Sequence, residues 1–343
     1  MRIIGLWNPD HLSKQTSLIA TIDPNIVALL NDATQNYALF NAHAVSNNYW
    51  SWAFINFNNR NWLRINCQTS VSLTANLVIC QPTSSSSYPA LRAAGTRYVY
   101  HGCRIYVVAC KAGGTVLMVN ATGVQTATAG TEYFVEVVED LSNNTRKVYV
   151  NGTQVSTDTN GNVAVGSTTG SLLNAVTHGY YITDYYFAAS EASDVSPPAR
   201  LGKISVKTLP PTGMTGGDHF SVVGSQSTVP AELGAGRAAV APTGITSYVT
   251  SDSNGGQATL LFTAPNKGDV IMGAMARVFV MKEVAAQAQA YADVGAGKTT
   301  TPAQVNTVTT LLTPTSIPLA LPTGGWSETA LGNATVKIWS ERT

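Results

Sequence analysis

Four acids crowd one short stretch: Glu132, Glu136, Glu139 and Asp140. Two carboxylates held about 5–10 Å apart across a cleft can hydrolyse a glycosidic bond, one as proton donor and the other as nucleophile or base. Strand alternation places Glu132 and Glu136 on one face, with Phe134 between them. The E-x-D-x-x-E spacing that would mark a two-acid hydrolase strand occurs nowhere in the chain. The run therefore reads as a solvated strand face.

Other chemistry-bearing groups are weaker. Ala292–Thr299 reads ADVGAGKT, a relaxed phosphate-loop pattern with Ala for the first Gly. A working phosphate loop needs a parallel strand before it and a helix after it, so that backbone N–H groups cradle phosphates. Thr-Thr-Thr-Pro302 follows instead, which reads as a loop between strands. His11, His43, His101, His178 and His219 are scattered, and no G-x-S-x-G elbow accompanies them. No D-x-D-x-D spacing of a Ca²⁺ loop exists. Trp50, Trp52 and Trp62 stand among Asn47, Asn48, Asn56, Asn58, Asn59 and Asn61, the mixture that holds a sugar. The competing reading is that these rings fill a core or an interface. Cys67, Cys80, Cys103 and Cys110 form no C-x-x-C pair and read as buried, reduced thiols.

Composition narrows the classes. Of 343 residues, 11% are charged and the net charge is +1, so no basic surplus is available to neutralise phosphates and nucleic-acid binding by bulk electrostatics is excluded. Hydrophobic residues make up 44%, which argues for folded domains rather than disorder. No run reaches the roughly 18 apolar residues of a membrane-spanning helix. The opening MRIIGLWNPDHLSKQ lacks the apolar core of a secretory signal. Synthesis in a cytosol, with exit by lysis or within a particle, is the expectation.

The elements that must position these groups are strands. Short β-branched and aromatic runs alternate with Gly, Asn and Pro turns: 97–109, 132–138, 146–150, 180–188 and 204–208. Asn151-Gly152 predicts a two-residue hairpin, since a type I′ turn needs positive φ at both central positions. Helix is expected only at 25–36 and in a single turn capped by Ser327. Leu209–Gly217 (LPPTGMTGG) reads as a boundary that cannot continue a ladder. Beyond it lie strands at 221–223, 246–250, 257–263, 270–282, 286–293, 316–319 and 335–339. The run 270–282 is nearly all apolar, which predicts a strand buried on both faces or against a neighbouring subunit.

These segments carry a resemblance. The hairpin VEVVED…RKVYVNGTQV within Tyr133–Val155 resembles a laminin-G-like, concanavalin-A-like jelly roll. ITDYYFA (182–188) followed by RLGKISVKTLPP (200–211) resembles the corresponding stretch of laminin-G-like virion proteins of tailed bacteriophages, matching at Asp184, Tyr186, Leu201, Gly202, Val206, Leu209 and Pro211. The segments 247–262, 268–282 and 324–338 are similar to the domain that follows in such proteins. Pro197-Pro198 departs from the family's Asn-Asp-Phe loop, and the first 45 residues or so lack its opening.

The expected fold is all-β, with two β-sandwich domains. Residues 1–212 hold an N-terminal arm (about 1–45) plus a laminin-G-like jelly roll, and residues 213–343 hold a second β-sandwich. The resemblance implies a non-enzymatic structural component of a virion, associated with tail, baseplate or fibre and assembled in a bacterial cytoplasm. Its partners would be other virion proteins and further copies of itself. The alternatives are a host-glycan adhesin using Trp50, Trp52 and Trp62, or a capsid decoration protein. The resemblance also implies that a rim could hold Ca²⁺, with Asp158, Asp184 and Asp194 as its candidates, but no catalytic residue, cofactor or metal is expected, and neither nucleic acid nor membrane is an expected partner.

Overall fold

A computed structural model describes residues 1–7, 31–32, 37–38, 41–43, 48–57, 60–69, 76–80, 88–107, 115–116, 126–128, 130–156, 163–166, 177–224, 226–234, 240–241, 244–245, 248–251, 256–280, 286–294, 303–305, 313–319 and 324–342. Among these the chain is all-β, with every ladder antiparallel and three short helices. It divides into two units, the main-chain division falling between Val206 and Lys207, ahead of the expected 212/213 boundary.

Eight strands build the main sheet of the first unit: β1 (Arg2–Trp7), β2 (Asn48–Phe57), β3 (Arg60–Thr69), β4 (Tyr98–Val107), β5 (Thr131–Asp140), β6 (Thr145–Val150), β7 (Thr153–Ser156) and β8 (Thr177–Ala189). Their order is β7-β6-β5-β4-β8-β3-β2, with β1 also on β8. The β5–β6–β7 ribbon forms because 131–150 alternates strand formers and closes on the predicted turn. Asn151 and Gly152 have φ of 49° and 86°, as a type I′ turn requires. Asn151 is further fixed to β5: its N–H donates to the Phe134 carbonyl (2.8 Å), and its Oδ1 accepts from the Phe134 N–H (2.9 Å).

Strand β8 changes neighbours midway. Thr177–Ile182 pairs with β3, whereas Tyr185–Ala189 pairs with β1. The β4–β8 register shifts between Thr183 and Tyr186, and Asp184 inside that bulge has φ 53°. Asp tolerates this left-handed region better than most residues. Arg2–Trp7, within the stretch expected as an N-terminal arm, is therefore part of the sheet, with Ile3 in its core. A second sheet in this unit contains Asn41–His43, Asn76–Cys80, Thr115–Val116, Thr126–Ala127 and Val163–Gly166. The core under one face of the main sheet groups Ile3, Tyr98, Tyr100, Phe134, Tyr186 and Ala188, with Leu201 and Ile204 packed against it.

The second unit is built on β9 (Pro211–Gly216), β10 (Gly256–Phe262), β11 (Ala286–Val294), β12 (Ala303–Val305) and β13 (Ala334–Arg342), in the order β9-β10-β13-β11-β12. The Pro/Gly-rich stretch expected to break the ladder thus includes a strand. It does so at the end of the sheet order with a register shift between Pro211 and Gly213, where a missing N–H is tolerated. Leu260 and Val336 centre a small core with Met214, Phe262, Ala276, Leu319 and Ile338.

Three further expectations fail. The run 204–208, expected as a strand, has no regular secondary structure. Within 25–36, Asn31–Asp32 is a strand paired with Tyr37–Ala38 rather than helix, and the remainder lies outside the described residues. Of 270–280, the described part of the run 270–282, only Met275–Val280 is a strand, paired with Thr313–Pro318. Val270 is 86% exposed, so the apolar run does not mark a buried strand throughout. The expected one-turn helix is present at Glu328–Gly332, its Ser327 cap accepting from the Ala330 N–H at 3.0 Å.

Candidate functional site

The richest polar constellation lies where residues 195–206, a strap without regular secondary structure, cross the main sheet of the first unit. Cross-strand register brings Glu132, Phe134 and Glu136 of β5 opposite Tyr106, Arg104 and Gly102 of β4, so one face carries alternating acid and ring beside a cation. The alternation expected for Glu132 and Glu136 is present, but of the two only Glu132 keeps solvent exposure. Glu136 is 1% exposed and Glu139, on the opposite face, 0%. Alternation assigns a face; it does not say whether a non-strand segment covers that face.

Glu136 holds three groups. Its Oε1 accepts from the Tyr186 hydroxyl (3.0 Å) and from the Gly202 N–H (2.9 Å), and its Oε2 pairs with Arg200 Nη1 (2.6 Å). Gly202, at φ 71°, gives the strap the left-handed turn that aims its N–H there. Arg200 also lies over the Tyr149 ring, 3.9 Å from its centroid, a cation–π contact. Burial, then the Glu136 charge, pushes the Tyr186 hydroxyl far above its ordinary range, so it stays protonated and donates.

Arg104, itself buried, is the second hub. Its Nε donates to Asp184 Oδ2 (2.8 Å), Nη1 pairs with Glu132, and Nη2 donates to the Ile204 carbonyl (2.9 Å). The other oxygen of Asp184 accepts from the Val206 N–H at 2.9 Å. Glu132 also takes Lys203 Nζ at 2.8 Å. Burial pushes the Glu132 carboxyl up, but hydrogen bonds and charge from Lys203 and Arg104 outweigh it and hold the group below its ordinary value. Asp184, a rim-metal candidate from the sequence, thus has both oxygens on protein donors. Asp194 Oδ2 accepts from the Glu191 N–H, and Asp158 lies outside the described residues.

On the opposite face a second network joins β4, β5, β6 and β8 to the residue before helix α1 (Pro89–Ala93). Arg146 Nη2 pairs with Glu139 Oε1 (2.9 Å), and the Tyr88 hydroxyl donates to Glu139 Oε2 (2.6 Å). His101 Nε2 lies 3.0 Å from that hydroxyl, and His101 Nδ1 lies 2.9 Å from Tyr185 OH. Phe187 stacks on the His101 ring at 4.7 Å between centroids. All these side chains are buried. Acid, imidazole and phenol stand together here without an opening to solvent, which makes the network a polar core. Its signal in the sequence was slight: Arg146 and Glu139 at matched positions of one hairpin.

Other sequence candidates disperse. Trp50 and Trp52 lie on β2, paired with Cys67 and Ile65, whereas Trp62 on β3 pairs with Ile55. Trp50 and Trp52 share one parity of this ladder and Trp62 occupies the other; their side chains lie outside the described residues. Cys103 is fully buried, and burial followed by the Asp184 charge pushes its thiol well above the ordinary range. The sites of Cys67 and Cys80 are on β3 and on Asn76–Cys80, and Cys110 lies outside the described residues. His219 is exposed; His43 and His178 occupy strand positions, and His11 lies outside the described residues. The phosphate-loop pattern begins on β11, an antiparallel strand between β13 and β12, which is the wrong context for a nucleotide cradle. Residues 295–299 of it lie outside the described residues. Among the described residues, no cluster of three His, Cys, Asp or Glu could hold a metal ion, and no helix is long and apolar enough to cross a membrane.

No protein-family model matches the chain, and no curated protein matches it. Solved structures with slight likeness include a sialidase, at 11% identity over 44% of this chain and 17% of that chain, with a TM-score of 0.26. An alginate lyase, AlgAT5 of polysaccharide lyase family 7, is 12% identical over 40% of this chain and 82% of that one (TM-score 0.25). The cellulose induced protein Cip1 is 11% identical over 47% and 94% (TM-score 0.25). Likeness at this level transfers neither activity nor substrate to this chain.

Proposed function

We propose that the chain is a non-enzymatic structural component of a tailed-bacteriophage virion, belonging to tail, baseplate or fibre, with a laminin-G-like β-sandwich as its first unit. One observation carries the non-enzymatic part. The acids whose spacing could have served hydrolysis, Glu132 and Glu136, are held by Arg104, Lys203, Arg200, the Tyr186 hydroxyl and the Gly202 N–H. They fasten a strap where a hydrolase would need an open cleft. The virion part is supported by the sequence resemblance. Asp184, Tyr186, Gly202 and Val206, four of its matched residues, each make a hydrogen bond that docks the strap or supports its carboxylate anchor. A charge content of 11% also suits permanent packing among like subunits.

Gold-labelled antibody against the chain, applied to purified particles and viewed by electron microscopy, tests the assignment. Labelling at the tail or baseplate is the expected result. Labelling of the head would move the protein to capsid decoration, and unlabelled intact particles would overturn the virion reading. A host-glycan adhesin is the second reading, favoured by the shared parity of Trp50 and Trp52 on β2. Binding on a glycan array that W50A and W52A abolish would establish it.

A further inference from the structure

The strap carries the chain from β8 to Lys207, where the second unit begins. It has no ladder of its own, yet its polar groups meet the sheet along its length. The Val195 carbonyl accepts from Arg97 Nη1 (3.2 Å) and from the Tyr98 hydroxyl (3.4 Å), and the Pro198 carbonyl accepts from the Tyr100 hydroxyl (2.9 Å). Arg200 and Gly202 then meet Glu136, Lys203 meets Glu132, Ile204 meets Arg104, and Val206 meets Asp184. Leu201 and Ile204 pack on the aromatic core beneath.

These contacts share partners. Arg104 bonds Glu132, Asp184 and the Ile204 carbonyl, so Lys203, Ile204 and Val206 belong to one connected network. Glu136 joins Arg200 and Gly202 just upstream. Residues 195–198 meet the sheet only through carbonyls, but lifting either end of 200–206 removes donors from Glu136 or Asp184, which stay buried, and a buried charge stripped of a partner costs more than the contact itself gained. Within 200–206, partial fraying therefore has no low-cost stopping point.

We propose that residues 200–206 form a latch that docks and releases as one cooperative unit, fixing the point at which the chain leaves the first unit through Glu136 and Asp184. Its release leaves the β4–β5–β6 ladder intact, because those strands pair with one another independently of the strap. The inference does not depend on the virion reading.

Hydrogen exchange of the full chain under a denaturant series reads the latch directly. The Gly202 and Val206 amides are expected to converge on one opening free energy and one denaturant slope, below those of Val135 and Val137 in β5. E136Q and D184N, at opposite ends, should each accelerate both strap amides by the same factor, tenfold or more, with the β5 amides remaining the slower set. Separate slopes for Gly202 and Val206 in the unaltered chain would overturn the proposal, as would each variant accelerating only its own amide. Exchange of strap and β5 amides in a single step would also overturn it, because the strap would then be no separate unit. The wild-type series decides the matter even if a variant fails to fold.

Discussion

Tyr186 lies so close across Gly102 that a Cβ at that glycine would sit 2.1 Å from the tyrosine Cε1. The missing side chain on β4 is what lets the Tyr186 ring lie across the ladder and put its hydroxyl 3.0 Å from Glu136. Gly102→Ala should therefore cost about 3 kcal/mol, the upper range for overpacking, because ring and carboxylate must both move. Gly152→Ala meets nothing within 4 Å and bears only its backbone strain at φ 86°, about 1 kcal/mol. Denaturant unfolding of the two variants beside the wild type should rank them in that order.

Position 102 also shows the limit of what the sequence discloses. The Asn151-Gly152 turn, the β5–β6 hairpin and the Ser327 cap were legible, because each rests on local chemistry within a few residues. So was the shared face of Glu132 and Glu136. The burial of Glu136 was not legible, because it is imposed by a strap more than 60 residues away that has no hydrophobic period to reveal where it lies. The strand at Pro211–Gly216 was missed for the opposite reason: its local composition argues against a ladder, and its place at the end of the sheet order permits one.

The Arg146–Glu139 pair, at 0% side-chain exposure on both partners, predicts a large asymmetry against surface pairs. Arg146→Met should destabilise by about 3–5 kcal/mol, since Glu139 would remain buried without that cation. Arg97→Met, which removes a half-exposed pair with Asp140, should cost about 1 kcal/mol or less. Equal effects in chemical denaturation would contradict the burial argument.

Acid should weaken the strap. In the folded chain the Glu132 carboxyl lies below its ordinary value, so it contributes stability above its unfolded pKa of about 4.3 and loses it as pH falls through the folded value. Asp140 follows the same sign: burial raises it, but hydrogen bonds from Ser142 and Arg97 hold it low. Glu132→Gln should reduce stability at pH 7, and its difference from wild type should shrink progressively below pH 4. A difference that grows on acidification would reverse the assignment.

Cys103 is sealed in the sheet, and its thiol stays protonated at neutral pH. Peptide mapping after brief iodoacetamide treatment at pH 8 should find it unmodified in the native chain and fully alkylated in denaturant. Native-state labelling would mean that the sheet opens on the timescale of the reaction.

The account turns on Glu136 acting as a fastener, and a double-mutant cycle with Arg200 tests that most directly. Unfolding free energies of wild type, E136Q, R200M and the double variant should give a coupling of about 1–3 kcal/mol, as expected for a partly buried pair in one network. Single-variant effects that add to within about 0.3 kcal/mol would contradict the account, because the acid would then not be holding the strap.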